Sequence, residues 1–567
     1  MNRLTYILIL SLFSINSFSQ DYRSPLDIPL LLSGNCGELR NNHFHAGLDI
    51  KTQGVEGKSV YSVADGFVSR ISVSPSGYGL ALYIDHPNGQ TTVYGHLSRF
   101  NKEISDYVKS QQYAQESYRV NLSLKANQIK VKKGDVVAYS GNTGGSGGPH
   151  LHFEIRDTKS EHVLDPLPFL KSMIRDEVAP EIRGIAAYPV PGRGAVNSTF
   201  LPLRQTITKL KDGSYSSPQE NIEAWGLIGL GIKAYDRMSG TTNIYGVRTI
   251  SMKVDDKQVF SYDISRFAFD QSRMINTFTD FVDWRLNKSF YMYSFVEPGN
   301  TLPFYQTQNS GYININEERT YNIEYTLQDV YGNSTIYKFT VNGKQQDIPR
   351  PSGCSLVMIW DQDNKYISER FSLIINKGNL YNDVCFTLSQ SASSDYFSDV
   401  FTVNQAPVAL DKSGEVRIKL NFDPLSNKKQ YGIVQLTGNR KSWIGGTYNN
   451  GTISGNIREL GVRLAVASDT QAPTISPVTT AASKKKKAAL PKSTDSIRLR
   501  ITDNLSGVAS VRGTIDGKFA LFENDIKSPV YTYKFDPDRL SKGTHNLIVV
   551  ATDACGNSTE YSTEFTY

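Results

Sequence analysis

The sequence predicts a mainly β chain made of several domains, an N-terminal β-sheet domain followed by three β-rich ones. Three observations lead there. Residues 57–100 alternate short apolar runs with Gly, Pro and Asn turns, the texture of strands half-buried on one face. The last two thirds of the chain repeats one set of three turns in the same order. A length of 567 residues exceeds what one core sustains and points to about three to four domains.

Residues 1–19 carry a basic Arg3, an apolar run from Leu4 to Ile15 and the small-x-small end Ser17-Phe18-Ser19. This reads as a secretory signal peptide cleaved before Gln20. No cysteine stands directly after the cleavage point, and no other stretch reaches about 18 continuous apolar residues. The mature protein is therefore expected in a periplasm or outside the cell, with no membrane span. Charged residues make up 20% and the net charge is only +6, so nothing calls for a nucleic-acid partner. Cys36, Cys354, Cys385 and Cys555 are too widely spaced for a metal pattern; pairing of Cys354 with Cys385 stays open.

In the first domain (20–175), the runs Ser59–Val63, Gly66–Val73, Ala81–Asp85 and Thr91–Tyr94 read as strands. From Asn101 to about Glu116, Ile104, Tyr107, Val108 and Gln111 follow helical spacing. This 101–129 insertion either walls a cleft or is a surface excursion, and a further β-run covers Ile129–Tyr139. The Gly141–Gly148 turn lacks the Gly-Lys-Ser/Thr ending and the following helix of a phosphate loop.

Farther on, Asp176-x-x-Ala179-Pro180, Asp236-x-x-Ser239-Gly240 and Asp329-x-x-Gly332-Asn333 recur as Asp469-x-x-Ala472-Pro473, Asp503-x-x-Ser506-Gly507 and Asp553-x-x-Gly556-Asn557. They bracket β-runs such as Val247–Val254 and Asn546–Thr552, which suggests two immunoglobulin-like sandwiches, 176–346 and 469–567. Asp and Asn serve such turns without a metal, and calcium ligation is the lesser alternative. Between them, 347–468 reads as one more β domain, with strands at Ser355–Trp360, Phe371–Ile375 and Val416–Leu420 and with Trp360, Tyr366, Phe371, Tyr396 and Trp443 as core rather than a sugar platform. Lys484–Lys487 reads as a solvated loop.

Chemistry is concentrated at the front. Seven of the eight histidines lie within the first 162 residues. In a strand, His150 and His152 project from one face about 6–7 Å apart. Upstream, His45 and Asp49 in a flat strand would stand about 13 Å apart, so sharing an ion requires a bend, and Gly47 permits one. His45, Asp49 and one histidine of the pair then form a two-nitrogen, one-oxygen set suited to catalytic zinc with water in the fourth position.

His45-x3-Asp49, then Val93-Tyr94-Gly95-His96, then Gly141-Asn142-Thr143-Gly144 leading into Gly148-Pro149-His150-Leu151-His152, resembles the lysostaphin/LytM-type zinc metalloendopeptidases of peptidoglycan over about residues 35–160. The resemblance implies a β-sheet peptidase domain, Zn2+ held by His45, Asp49 and His152, catalytic His150 and His96, and peptidoglycan peptide stems as substrate. Two positions depart from the pattern. Gly147 stands where Thr is usual, and Leu39 stands where some members place a transition-state Tyr, which moves oxyanion stabilisation onto His96. His150 is expected to take the proton of a metal-activated water and return it to the leaving amine. The alternative is a murein-binding or hydrolase-activating protein on the same fold; a secreted peptide as substrate is a third reading. The β modules would position the enzyme or meet an envelope partner.

Overall fold

The computed structural model describes residues 22–349, 354, 356–478 and 495–567. The expected signal peptide and the Lys484–Lys487 run lie outside the described residues. Among the described residues no helix is long and apolar enough to cross a membrane. The architecture is mainly β, with one large antiparallel sheet first and further β-rich units after it.

The first sheet runs in the order Leu32–Gly34, Leu48–Lys51, His150–Asp157, Gln90–Leu97, Leu80–Asp85, Gly66–Val73, Val120–Ser123, with every neighbouring pair antiparallel. Alternation divides its two faces. Leu48, Ile50, Leu151, Phe153 and Ile155 are fully buried in the core on one side, each worth about 1.5–3 kcal/mol. His150, His152, Glu154 and Arg156 stand on the other.

The insertion holds a helix at Lys102–Ala114, started by Asn101, whose side chain accepts the Ile104 N–H at 3.0 Å. Its inward residues are Ile104, Val108 and Gln112, so the polar member of the stripe is Gln112 rather than Gln111. Gln112 is buried because its amide donates to the Tyr118 carbonyl at 2.7 Å. The expected run Ile129–Tyr139 is two strands, Lys130–Val131 and Val136–Tyr139. Asp135 accepts the Lys132 N–H and turns the chain between them.

Residues 181–343 contribute strands to one ten-stranded sheet, with Glu181–Val196 and Ile222–Tyr235 as its long members. This unit is fused to the first. Phe44 and Ala46 sit in its core with Phe267 and Phe278, and Val163–Leu164 pairs with Arg266–Phe267. The segment that carries His45 is thus fixed by two cores at once.

Residues 364–468 form an eight-stranded sheet about the long strands Val400–Lys419 and Thr452–Ser468. A Cys354–Cys385 disulfide lies beside it. Phe371 is buried in its core, Trp360 and Tyr366 pack against that core, and Tyr396 and Trp443 pack on a smaller cluster of the same sheet. The last unit is two four-stranded sheets enclosing a common core.

The repeated turns bring Asp176, Asp236 and Asp329 together, and likewise Asp469, Asp503 and Asp553. Asp329 accepts the N–H groups of Tyr331, Gly332 and Asn333, and Asp553 those of Cys555 and Asn557. These carboxylates close turns, as their residue type favours.

Candidate metal centre

The three expected ligands converge. His45 Nε2 lies 3.1 Å from His152 Nδ1 and 3.1 Å from Asp49 Oδ1, and His152 Nδ1 lies 3.0 Å from that same oxygen. The chain bends at Gly47, as the spacing requires. Glycine is also needed there for room, since a Cβ would come 2.3 Å from the Phe153 carbonyl.

Outer partners set the tautomers. His45 Nδ1 is 2.8 Å from the Asn35 carbonyl, so it carries the proton and leaves Nε2 bare. His152 Nε2 is 2.8 Å from Glu154 Oε1, which leaves Nδ1 bare. Arg40 Nη2 occupies Asp49 Oδ2 at 2.9 Å, so Oδ1 is the oxygen turned inward. Two lone pairs and a carboxylate oxygen facing one another at 3.0–3.1 Å repel unless a cation stands among them. Tetrahedral zinc at about 2.0–2.2 Å from each donor would space them about 3.3–3.5 Å apart, so the donor set and its dimensions fit that ion.

The electrostatics agree. Burial opposes a charge on Asp49, but His45, His150 and His152 outweigh it and hold the carboxyl well below its usual range. Burial also opposes a proton on His152. The hydrogen bonds to Asp49 and Glu154 prevail and raise its pKa to about 9, so without a metal a proton on Nδ1 stands beside Asp49 in the cation's place, and a bound metal would displace it. Burial lowers His45.

His150 and His96 flank the ligands. His150 Nε2 is 3.2 Å from Asp49 Oδ1, while its Nδ1 lies 2.8 Å from the Gly148 carbonyl and is thereby the protonated nitrogen. The His96 ring lies beside it, tilted by 58°, with ring centres 4.8 Å apart. Plain alternation would put His96 with Tyr94 in the opposite core. Instead the register shifts between Leu80 and Leu82, and His96 adopts a left-handed φ of 57°. Such a bulge re-aims a side chain at the expense of local strain.

The oxyanion role expected of His96 requires a donor at Nε2. Its Nδ1 lies 2.8 Å from the Thr143 carbonyl, so the neutral ring offers only a lone pair at Nε2. Burial, reinforced by His152 and His150, pushes its pKa down to about 3, which opposes the protonated form. His96 therefore faces the site as an acceptor. Of the other early histidines, His86 spends both ring nitrogens on the Asp65 carbonyl and the Thr92 hydroxyl.

Sequence reasoning did not assign the supporting residues. Glu154 and Arg156 continue the His150/His152 alternation, and the same period-two argument would have found them. Glu154 is wholly buried; burial opposes its charge, but Arg156 at 2.7 Å and His152 hold its pKa at about 2. Tyr78 donates to Glu154 at 2.5 Å and stacks on His152 at 5.1 Å. Tyr78, Arg40 and Asn35 reach the site from turns and edges that carry no periodic signal. Of the two departures, a side chain at Gly147 would meet nothing within 4 Å, while Leu39 packs against the second core and its neighbour Arg40 turns to the site.

The loop ahead of His150 is held from far along the chain. Gly144 has φ +72°, and a Cβ there would come 2.4 Å from the Gly77 carbonyl. The hairpin tip Asp525–Lys527 of the last unit grips this loop. Asp525 accepts the Gly144 N–H at 2.9 Å, Lys527 donates to the carbonyls of Asn142 and Gly144, and the Ile526 N–H donates to Pro75.

Comparison with known proteins agrees with this geometry. The profile of peptidase family M23 matches residues 43–117 and 115–166, which contain all five residues. Residues 43–166 thus match the M23 peptidase family. The chain is 33% identical over 112 residues to the DD-carboxypeptidase/endopeptidase Mpg of Neisseria meningitidis serogroup B, covering 20% of each chain. It is 25% identical over 196 residues to lysostaphin of Staphylococcus staphylolyticus, covering 32% of this chain and 35% of that one. The chain thus spans about a fifth to a third of the length of these relatives. The M23 domain also aligns with the catalytic domain of lysostaphin from Staphylococcus simulans at 26% identity and TM-score 0.19, covering 25% of this chain and 90% of that one. Residues 355–469 match a Zu5-like domain.

Proposed function

We propose that the chain is a zinc endopeptidase that hydrolyses peptide cross-links of peptidoglycan outside the cytoplasm. The observation that carries this is the triangle of two bare ring nitrogens and one carboxylate oxygen, with a third bare nitrogen, His150 Nε2, at its rim. Bound there, zinc would polarise the scissile carbonyl and lower the pKa of its water to about 7. His150 Nε2 takes a proton from the attacking water and delivers it to the leaving amine nitrogen, while the Gly148 carbonyl holds the tautomer that makes this possible. His96 Nε2 accepts a second hydrogen bond from the same water and orients it, with Thr143 fixing the ring. Water is the nucleophile, so no acyl-enzyme forms.

The full chain, reconstituted with zinc and dialysed, is expected to retain about one ion and to lose hydrolysis of purified murein on chelation. A chain that binds no zinc, or one whose hydrolysis survives chelation, contradicts the proposal.

A further inference from the structure

The face of the sheet that bears His152 continues away from the metal centre as a groove of about 600 Å³. Strand register places two of its lining residues, Tyr83 and Arg70, relative to the metal centre. Glu154 lies opposite Val93, Val93 opposite Tyr83, Tyr83 opposite Arg70, and Arg70 opposite Ser123. Residues directly opposite share a face, so Glu154, Tyr83 and Arg70 form one row beside His152. Three strand spacings of about 4.8 Å put Arg70 roughly 14 Å from Glu154. An extended peptide covers that distance in about four residues.

The far end of the groove is cationic. Arg156 is committed to Glu154. The Arg70 guanidinium lies over the Tyr83 ring, 3.7 Å from its centre, and reaches a carboxylate only at 4.0 Å, that of the exposed Glu161. Arg119, between the helix and the strand Val120–Ser123 of the insertion, is exposed and has no carboxylate partner among the described residues. The wall opposite is Phe269, 51% exposed and supplied by the second unit. Two guanidinium groups with little neutralisation, on an aromatic floor, match the fork geometry of a carboxylate carried on a partly apolar peptide.

We propose that this groove is a substrate subsite in which Arg70 and Arg119 bind a free carboxylate of the peptide, within about four residues of the bond at the metal centre. The inference rests on the endopeptidase reading and names the chemistry of its substrate. The insertion that carries Arg119 is then a groove wall.

Binding is tested without turnover, using the full-length, zinc-loaded His150→Gln chain and a fluorescein-labelled, C-amidated tetrapeptide containing one glutamate. The comparison is its glutamine twin, read by fluorescence anisotropy at two salt concentrations. The acid peptide is expected to bind about tenfold or more tightly, the preference shrinking at high salt. Arg70→Gln with Arg119→Gln should reduce that ratio to near one, and Arg119→Gln alone, at an exposed site that folding does not need, should reduce it in part. Equal binding of the two peptides to the parent chain, or a preference that survives in the double variant, overturns the proposal. A carboxylate preference in a chain that never cleaves murein would keep the subsite and reject the hydrolase, so the two failures are distinguishable.

Discussion

Asp49 Oδ1 is shared by both members of the histidine pair, at 3.0 Å from His152 Nδ1 and 3.2 Å from His150 Nε2. Residues two apart on a strand begin about 6–7 Å apart, and they meet at one atom because they present different ring nitrogens. His152 turns Nδ1 inward because Glu154 holds its Nε2; His150 turns Nε2 inward because Gly148 holds its Nδ1.

That difference separates binding from chemistry. Asp49→Ala and His152→Ala should each lose zinc and hydrolysis together. His150→Gln should keep about one zinc per chain and lose about 10²–10⁴-fold in hydrolysis rate. Metal analysis beside a murein turbidity assay checks both, and a His150 variant of undiminished rate would remove the proton acceptor.

Glu154 supports His152 from behind. Glu154→Gln is expected to weaken zinc affinity by about 10–100-fold. It also leaves the buried Arg156 with only the exposed Glu161 carboxylate, at 3.6 Å, as counter-charge, at a cost of up to about 3–5 kcal/mol. Chelator competition and urea unfolding read the two effects separately.

The same residue sets an acid limit. Its carboxyl is held at about 2 in the fold against 4.5 for the free group. The folded state therefore binds this proton less readily than the unfolded one. The resulting stabilisation is complete above about pH 4.5 and is lost as pH falls toward 2. Urea midpoints of the metal-free chain should drop between pH 5 and pH 3, and the drop should be smaller in Glu154→Gln. An unchanged acid limb in the variant would assign the effect to other carboxylates.

Much of this was legible in the residues, and the exceptions have physical causes. The strand Gly66–Val73 coincides with its apolar run, and Lys102–Ala114 with its helical stripe, because both bury one face and their periods show it. His45, Asp49 and His152 could be grouped because alternation and a glycine bend are local rules. The inward turn of His96 could not be derived, since it depends on a bulge set by strand pairing. Nor could Arg40, Tyr78 or the Asp525–Lys527 tip, which arrive through long-range packing. The likeness of the repeated turns survives as paired acidic clusters, yet 181–343 forms one large sheet while 474–566 forms two small ones.

The remote hairpin offers a test of that packing. Lys527→Ala removes the donor that holds the carbonyls of Asn142 and Gly144 beside Thr143. Since Thr143 fixes His96, the variant should lose several-fold in kcat while keeping zinc and its melting temperature within a few degrees. Lys527→Arg should restore part of the rate.

The Cys354–Cys385 disulfide closes a loop with a sequence separation of 31. Replacing both cysteines by serine should cost about 3–4 kcal/mol in the unit that follows, as loop-closure entropy predicts. Differential scanning calorimetry should show that transition moving down while zinc content stays constant.

The proposed activity is hydrolysis of a cell-wall amide bond by a zinc ion held by His45, Asp49 and His152 and flanked by His150 and His96. Mass spectrometry of murein digested by the zinc-loaded chain addresses it directly. New fragments should appear in pairs that differ from the cross-linked parent by one water, each pair bearing a fresh amine and a fresh carboxyl, and His150→Gln should yield none. Intact cross-links after digestion, or fragments cut only within the glycan, would contradict it.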